Sequence, residues 1–572
     1  MICRNDDNTG FPRAEIAVPP LRSPVCSCSS VVLVSVLLSL YAAASTAQEP
    51  LRNELAAVLA ADSARAAAPA HGVPQALHAL YDPAGASLLW STAGHLTSQA
   101  QVLLRELGAA DAYGLEPRDY VIADTVNLVP AEGTSSAAAA WARLDVQLSA
   151  AALHFLSDLH YGRIDPAAAG FKLQAAHQQI DLAGALLKLA HDADVLAAIH
   201  AAEPPFHHYQ LLKDALVRYL RLAPHRELTN LPAPPAHLQT GGRYAGAAAL
   251  RALLLALGDL PATAAPAQDG IFDTAASDGV RAFQTRHGLG ADGLLGKATF
   301  AALTTPLQQR VRQIDLTLER WRWLPVFQTP PIIVNIPQFR LFAFRTTEDR
   351  VADILQMDVI VGRIFPHMQT PVFEADMRYL VFRPYWDVPY SITKNEMLAK
   401  IRANPAYLAS QHLEIVRGQQ DSSPTVPATP ENIAALAAGQ LRLRQAPGED
   451  NALGLVKFIF PNTYNVYLHS TPAHQLFKET RRAFSHGCIR VSDPLALAQY
   501  VLRDAPGEWS AAKISAALNG AATLRVNLPQ PINVLILYGT ALATEAGATL
   551  FFDDIYGYDR RLEHDLGLTS IR

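Results

Sequence analysis

His469-Ser470-Thr471-Pro472 and, after a basic connector, Ser485-His486-Gly487-Cys488-Ile489-Arg490-Val491 decide how the rest of this chain is read. They hold one cysteine, two histidines placed to activate it, and backbone amides able to hold an oxyanion. A thiol attacks as its thiolate, so a nucleophilic cysteine needs a base close by. Upstream, Tyr464-Asn465-Val466-Tyr467-Leu468-His469 reads as a strand with Tyr464, Val466 and Leu468 on one face. The period of two then sends Asn465, Tyr467 and His469 to the other face. Downstream, Asp493-Pro494 followed by Leu495, Leu497, Ala498, Val501 and Leu502 reads as a capped helix start with an apolar stripe. Cys488 therefore sits shortly before a helix, and Gly487 lets the backbone approach a substrate closely.

The 572 residues allow three or four domains, and a hydrophobic fraction of 50% is ample for their cores. A net charge of −5, with basic residues gathered only at Lys478, Arg481 and Arg482, points to no nucleic-acid partner. Residues 1–30 carry three arginines against Asp6, Asp7 and Glu15, a poor start for a secretory leader. Val31–Leu40 has the length of a signal-peptide core and is short for a bilayer span, and Ser45-Thr46-Ala47 offers a small-residue cleavage site. The expectation is export, with residues 1–47 as a signal peptide; a membrane anchor retained through residues 31–47 is the alternative. Cys3, Cys26 and Cys28 would leave with the leader, so the mature chain would keep Cys488 alone. A lone thiol in an oxidising compartment is a liability unless it is used.

The rest divides by pattern into a multidomain α+β chain. Residues 48–222 are rich in Ala and Leu at helical spacing, as in Leu144, Leu148, Ala151, Ala152 and Phe155. The histidines there, His207-His208 included, have no metal-ligand spacing, and no metal or cofactor is expected. Residues 223–241 form a linker with Pro232, Pro234 and Pro235. In 242–304, Asp269-Gly270-Ile271-Phe272 recurs as Asp292-Gly293-Leu294-Leu295, each copy just before a helical pattern. From Pro331 short strands take over: Ile332–Ile336, Leu341–Phe344, Met357–Val361, Leu380–Phe382, Val456–Phe460 and, later, Ile532–Tyr538. An insert over 395–448 is helical in its front half and polar in its middle. Long insertions beside a site are often lids; a passive surface excursion is the other reading.

A histidine, a gap, then Ser-His-Gly-Cys with Ile-Arg resembles the catalytic domain of the L,D-transpeptidases, which remodel peptidoglycan. The resemblance implies Cys488 as nucleophile, His469 as general base and acid, and the amides of Gly487 and Cys488 as oxyanion hole. Tyr467, Ser470, Ser485, His486 and Arg490 are the candidates for the substrate side. From the residues alone His486 stays open as the base, and Arg490 is either a surface arginine or a planar fork for a substrate carboxylate. Ser470 departs from the glycine common after the base in the larger Gram-negative-type members, which the chain otherwise resembles most.

Leu88-Leu89-Trp90, Tyr113-Gly114-Leu115 and Leu159 to Pro166 resemble that subgroup's helical scaffold. The Asp-Gly repeat, with Phe283-Gln284 and His287-Gly288-Leu289, resembles the small three-helix peptidoglycan-binding module, which either binds wall or only packs. Trp386–Lys394 resembles a substrate-side segment, 395–448 a helical capping subdomain, and Asp554–Asp559 the closing segment of a mostly β catalytic domain over 331–560. The activity implied is acyl transfer from tetrapeptide stems to a second stem, giving 3→3 cross-links in the periplasm, with carbapenems as inhibitors. A water acceptor would make a carboxypeptidase and a lipoprotein lysine an anchoring enzyme. A non-catalytic wall-binding scaffold is the rival of another class.

Overall fold

The computed structural model describes residues 72–568, apart from 82–86, 93, 123–134, 174–178, 265–268, 347–353 and 366, together with 53, 56 and 57. The leader or anchor expected over 1–47, with its three cysteines, lies outside the described residues. No helix among the described residues is long and apolar enough to cross a membrane.

Helices α1 (Val73–Tyr81), α2 (Ser98–Gly108), α3 (Ser135–Tyr161), α4 (Leu182–His191) and α5 (Val195–His200) enclose one core. Leu148, Ala152, Phe155 and Leu159 of α3 supply its buried stripe at the spacing that puts them on one helical face. Helix α6 (His207–Leu222) turns away and buries Tyr209, Leu212, Leu216 and Tyr219 in a second core. That core is shared with α7 (Ala247–Leu257), α8 (Thr274–Arg286), α9 (Lys297–Leu303) and α10 (Leu307–Arg322). In both copies of the repeat the glycine is left-handed, Gly270 at φ 66° and Gly293 at φ 76°, which only glycine adopts without strain.

Two short strands, β1 (Ser91–Thr92) and β2 (His95–Leu96), form a hairpin in the scaffold. The C-terminal half is built on β3 (Ile332–Asn335), β4 (Arg340–Ala343), β5 (Leu355–Gly362) and β6 (Phe373–Phe382). To these the chain adds β7 (Trp386–Asp387), β8 (Leu413–Val416), β9 (Thr425–Val426), β10 (Arg442–Gln445) and β11 (Val456–Ile459). It ends with β12 (Leu468–His469), β13 (Ala483–Ser485), β14 (Ile489–Val491), β15 (Leu524–Leu537), β16 (Ala541–Ala543) and β17 (Thr549–Phe551). The main sheet has nine strands in the order β13-β5-β14-β12-β11-β6-β15-β3-β4, and a further β4–β5 pairing closes it on itself. One face is apolar throughout: Val334, Leu341, Val359, Val361, Leu380, Phe382, Val456, Phe458, Leu468, Ile489 and Val534 are sealed in a single core. Helix α11 (Pro494–Val501) packs on that core, and the Asp493 carboxylate caps it by accepting the Ala496 N–H at 2.9 Å.

Two expectations need correcting. The strand expected from Tyr464 is only Leu468–His469; Asn462 closes the preceding residues into a turn, accepting the N–H groups of Tyr464 and Val466, and Asn465 is left-handed at φ 54°. The insert is not purely helical: its strands β10, β8 and β9 join β7, which precedes it, in a four-stranded sheet over a separate core that includes Ile401, Leu413, Ile415, Leu436 and Leu443. Helix α10, between module and sheet, buries Leu307, Ile314, Leu318 and Trp321, and buries charges in pairs as well, Arg320 on Asp559 at 2.6 Å and Arg322 on Glu319 at 3.2 Å.

The three-helix module is joined to the C-terminal hairpin β16–β17. Arg286 pairs its Nε and Nη2 with the Asp259 carboxylate at 2.6 Å each, and its Nη1 donates to the Thr549 carbonyl at 2.8 Å. Arg286→Ala is expected to strand the buried Asp259 carboxylate and cost about 3–5 kcal/mol. Thermal denaturation of the two proteins tests this, and superimposable melts would remove Arg286 from the list of stabilising contacts.

Candidate active site

Strands β12 and β14 run parallel, with Leu468 opposite Ile489 and His469 opposite Arg490. The Ile489 N–H donates to the Tyr467 carbonyl at 3.0 Å and extends the ladder by one residue. Residues paired in this way point to one face, so burial of Leu468 and Ile489 in the core turns Tyr467, His469, Cys488 and Arg490 together to the other. The sheet register thus makes neighbours of residues about twenty apart in sequence.

The His469 ring is buried, and its Nδ1 lies 2.5 Å from the Ser470 carbonyl. A carbonyl can only accept, so Nδ1 holds the proton and Nε2 keeps its lone pair. Burial, and then the charge of Arg490, push the imidazole pKa down to about 3, while the carbonyls of Ser470 and Leu453 act the other way. His469 is therefore neutral at ordinary pH. For Cys488, burial pushes the thiol up, opposed by the amide and hydroxyl of Tyr467 and by Arg490. The thiol donates to the Asn465 carbonyl at 3.6 Å, which the left-handed Asn465 aims at it. At rest the thiol and the imidazole are both neutral.

Gly487 has φ 121°, a conformation closed to other residues, although a Cβ there would meet only ordinary contacts. Its carbonyl accepts from the Thr370 hydroxyl at 2.8 Å, and Thr370 in turn accepts from the Gly362 N–H at 2.8 Å. The Tyr556 hydroxyl donates to the Gly362 carbonyl at 2.6 Å and accepts the Thr370 N–H at 3.2 Å. Buried Thr370 and Tyr556 hold the cysteine turn from beneath; sequence reasoning missed both, since nothing local marks them.

The remaining candidates divide. Ser485 is buried, donates to the Cys488 carbonyl at 2.5 Å and accepts the Gly487 N–H at 3.1 Å, so its hydroxyl closes the turn. Ser470 is also buried, with its carbonyl on His469. The Tyr467 ring meets the His469 ring edge-on at 5.7 Å and its hydroxyl interacts with the thiol. His486 points to the insert, where its Nε2 lies 2.7 Å from Glu396 in a π-helical turn over Thr393–Met397. Arg490 keeps its Nε buried with no hydrogen-bond partner.

Three parts of the chain match known protein families. Residues 330–511 match the L,D-transpeptidase catalytic domain, residues 243–303 a domain described as "Putative peptidoglycan binding domain", and residues 75–216 a scaffold domain. The chain thus carries an L,D-transpeptidase catalytic domain behind a helical scaffold and a peptidoglycan-binding-type module. A Haemophilus influenzae protein named "Putative L,D-transpeptidase" is 32% identical over 251 residues, which are 44% of this chain and 49% of that protein. The similarity therefore spans about half the length of that relative.

Two outcomes follow from the geometry. Between pH 6.5 and about 3 the unfolded chain binds a proton at His469 that the folded chain refuses. Stability is fully present above 6.5 and falls through that window by up to about 1.4 kcal/mol per pH unit. Urea midpoints from pH 7 to 4 should therefore drop more steeply for the wild type than for His469→Gln; parallel curves would contradict the buried neutral imidazole. Thr370→Val should release the Gly487 carbonyl, costing about 1–3 kcal/mol from unpaired buried groups. Cys488 alkylation should slow in Thr370→Val and recover in Thr370→Ser, and equal rates in all three would show that the turn needs no such support.

Proposed function

We propose that this chain is a peptidoglycan L,D-transpeptidase of the cell envelope, with Cys488 as nucleophile and His469 as general base. The observation carrying this is the shared sheet face of Cys488 and His469, with the imidazole proton held on Nδ1 and the Nε2 lone pair free. His486 is less suited to the role, because its Nε2 is engaged by Glu396.

In the first step His469 takes the thiol proton as the sulfur bonds to the carbonyl carbon on the L-centre side of a stem's L,D-peptide bond. The raised thiol makes this a proton transfer coupled to attack rather than attack by a standing thiolate. The oxyanion is received by backbone donors. The Cys488 N–H, which no described residue engages, is the first; the Gly487 N–H is the second once substrate displaces the Ser485 hydroxyl. Each donor contributes on the order of 3 kcal/mol in acyl-transfer enzymes. The C–N bond then breaks, and terminal D-alanine leaves with the proton from His469. In the second step a stem amine loses its proton to His469 and attacks the thioester, giving the 3→3 amide and restoring the thiol. Arg490, unpaired beside the nucleophile, suits a carboxylate of the stem. Action on peptidoglycan accords with a wall-binding role for the three-helix module.

The test is mass analysis of tetrapeptide stems incubated with purified protein. Cross-linked dimers and released D-alanine are expected, tripeptides alone would mean a water acceptor, and unchanged stems would overturn the reading. Cys488→Ala should abolish turnover with the fold intact, and His469→Ala should lower it about 10²–10⁴-fold. A carbapenem carries an activated amide carbonyl, so intact-mass measurement should find one adduct on the wild type and none on Cys488→Ala. An adduct persisting in the variant would place the nucleophile elsewhere.

A further inference from the structure

Beyond Cys488 and His469, the same sheet face carries a lysine that the mechanism above does not use. Lys457 of β11 lies directly opposite His469 across the antiparallel β11–β12 pair, as Arg490 lies opposite His469 across β12–β14. Paired residues share a face, so Lys457, His469 and Arg490 form one row across three neighbouring strands, with the two cations about 10 Å apart at the backbone. Phe458 and Leu468, the next pair in the register, point into the core and fix the orientation of the row.

Three cations stand on this row once it is followed to β15, where Arg525 lies opposite Val381 of β6, itself opposite Lys457. Arg525 is occupied, donating to Asn527 at 3.0 Å and stacking on the Tyr379 ring. Lys457 and Arg490 differ: neither side chain has a hydrogen bond or ion pair to a described residue, and the Arg490 Nε is buried as well. Most of the Lys457 side chain is covered, and its pKa is lowered by burial, with Asp421 of the insert the one acid acting on it. Asp421 belongs to the segment between β8 and β9, held in position where its carbonyl accepts from Arg444 at 2.6 Å. A largely desolvated ammonium without a partner costs stability unless a ligand supplies the anion.

Resting on the transpeptidase reading, we infer that Lys457 is a second anion subsite, so that the site takes a donor peptide with two carboxylates, one on either side of the His469 imidazole. Arg490 holds one and Lys457 the other, beneath the insert. The substrate class is then a stem whose acyl-donating residue and leaving residue both keep a free carboxylate. A stem with a neutral or amidated residue at one of these places would leave one cation bare.

The experiment compares wild type, Lys457→Met, Lys457→Arg and Arg490→Met on three donors: one with both carboxylates and two with one or the other amidated. With the full donor, Lys457→Met should raise KM roughly tenfold or more with kcat within about twofold, and Lys457→Arg should restore much of it. The Lys457→Met penalty should vanish when one particular carboxylate is amidated, and the Arg490→Met penalty when the other is. Penalties that follow the same carboxylate, or that ignore amidation, would overturn the inference. A second readout needs no turnover: Cys488 alkylation by anionic iodoacetate relative to neutral iodoacetamide. The ratio cancels changes in thiol reactivity and should fall in Lys457→Met; an unchanged ratio also overturns the inference. If wild type transfers no acyl group, the transpeptidase reading fails while the alkylation ratio still decides the role of Lys457.

Discussion

The parallel pairing of His469 with Arg490 is the contact from which the rest of the site follows. It places a histidine and a cysteine from separate segments on one face without a loop having to find the geometry. It also places a guanidinium beside the imidazole, and that charge adds to burial in keeping the ring neutral. A neutral ring with Nδ1 committed to a carbonyl has one chemical capacity left, to accept a proton at Nε2. The core residues Leu468 and Ile489 enforce this arrangement, because a slip of one residue would send them to the polar face and the histidine into the core.

Support for the cysteine turn comes from farther away. The chain crosses from β13 to β14 through Gly487, and a left-handed glycine alone would leave the turn free to open. Thr370 bonds it to β5, and Tyr556 bonds that junction to the C-terminal segment, where Tyr538 donates to Asp554 at 2.7 Å. Residues 362–370 and Tyr556, far from the turn in sequence on either side, therefore converge under it. The insert acts from above through Glu396 on His486.

The sequence was most legible where chemistry or burial is local. The Ser-His-Gly-Cys run stands out because few turns need a left-handed glycine beside a thiol, and the Asp493 cap follows from the preference of helix N-termini for acceptors. Strand cores such as Val456-Lys457-Phe458 were visible through alternation, although their ends were not. Asn465 was misread as extended because its left-handed turn depends on Asn462 folding back on Val466. The insert's sheet escaped notice because its strands are two to four residues long and lie among helical fragments. The charges of helix α10 are buried as well, and the partner of Arg320, Asp559, reaches it only through the tertiary structure.

Lys457 shows the same limit at the level of function. In sequence it is an unremarkable polar position in an alternating strand, where solvent exposure is the ordinary reading. The closed sheet brings its strand beside β12, and the insert covers the face it points to, so an ordinary surface residue becomes a desolvated cation next to the proposed base. Two unpaired cations flanking a neutral imidazole would be unfavourable in a structural core. Against a peptide bearing two carboxylates they become an electrostatic fit that holds the scissile bond between them, above the ring that must move its proton.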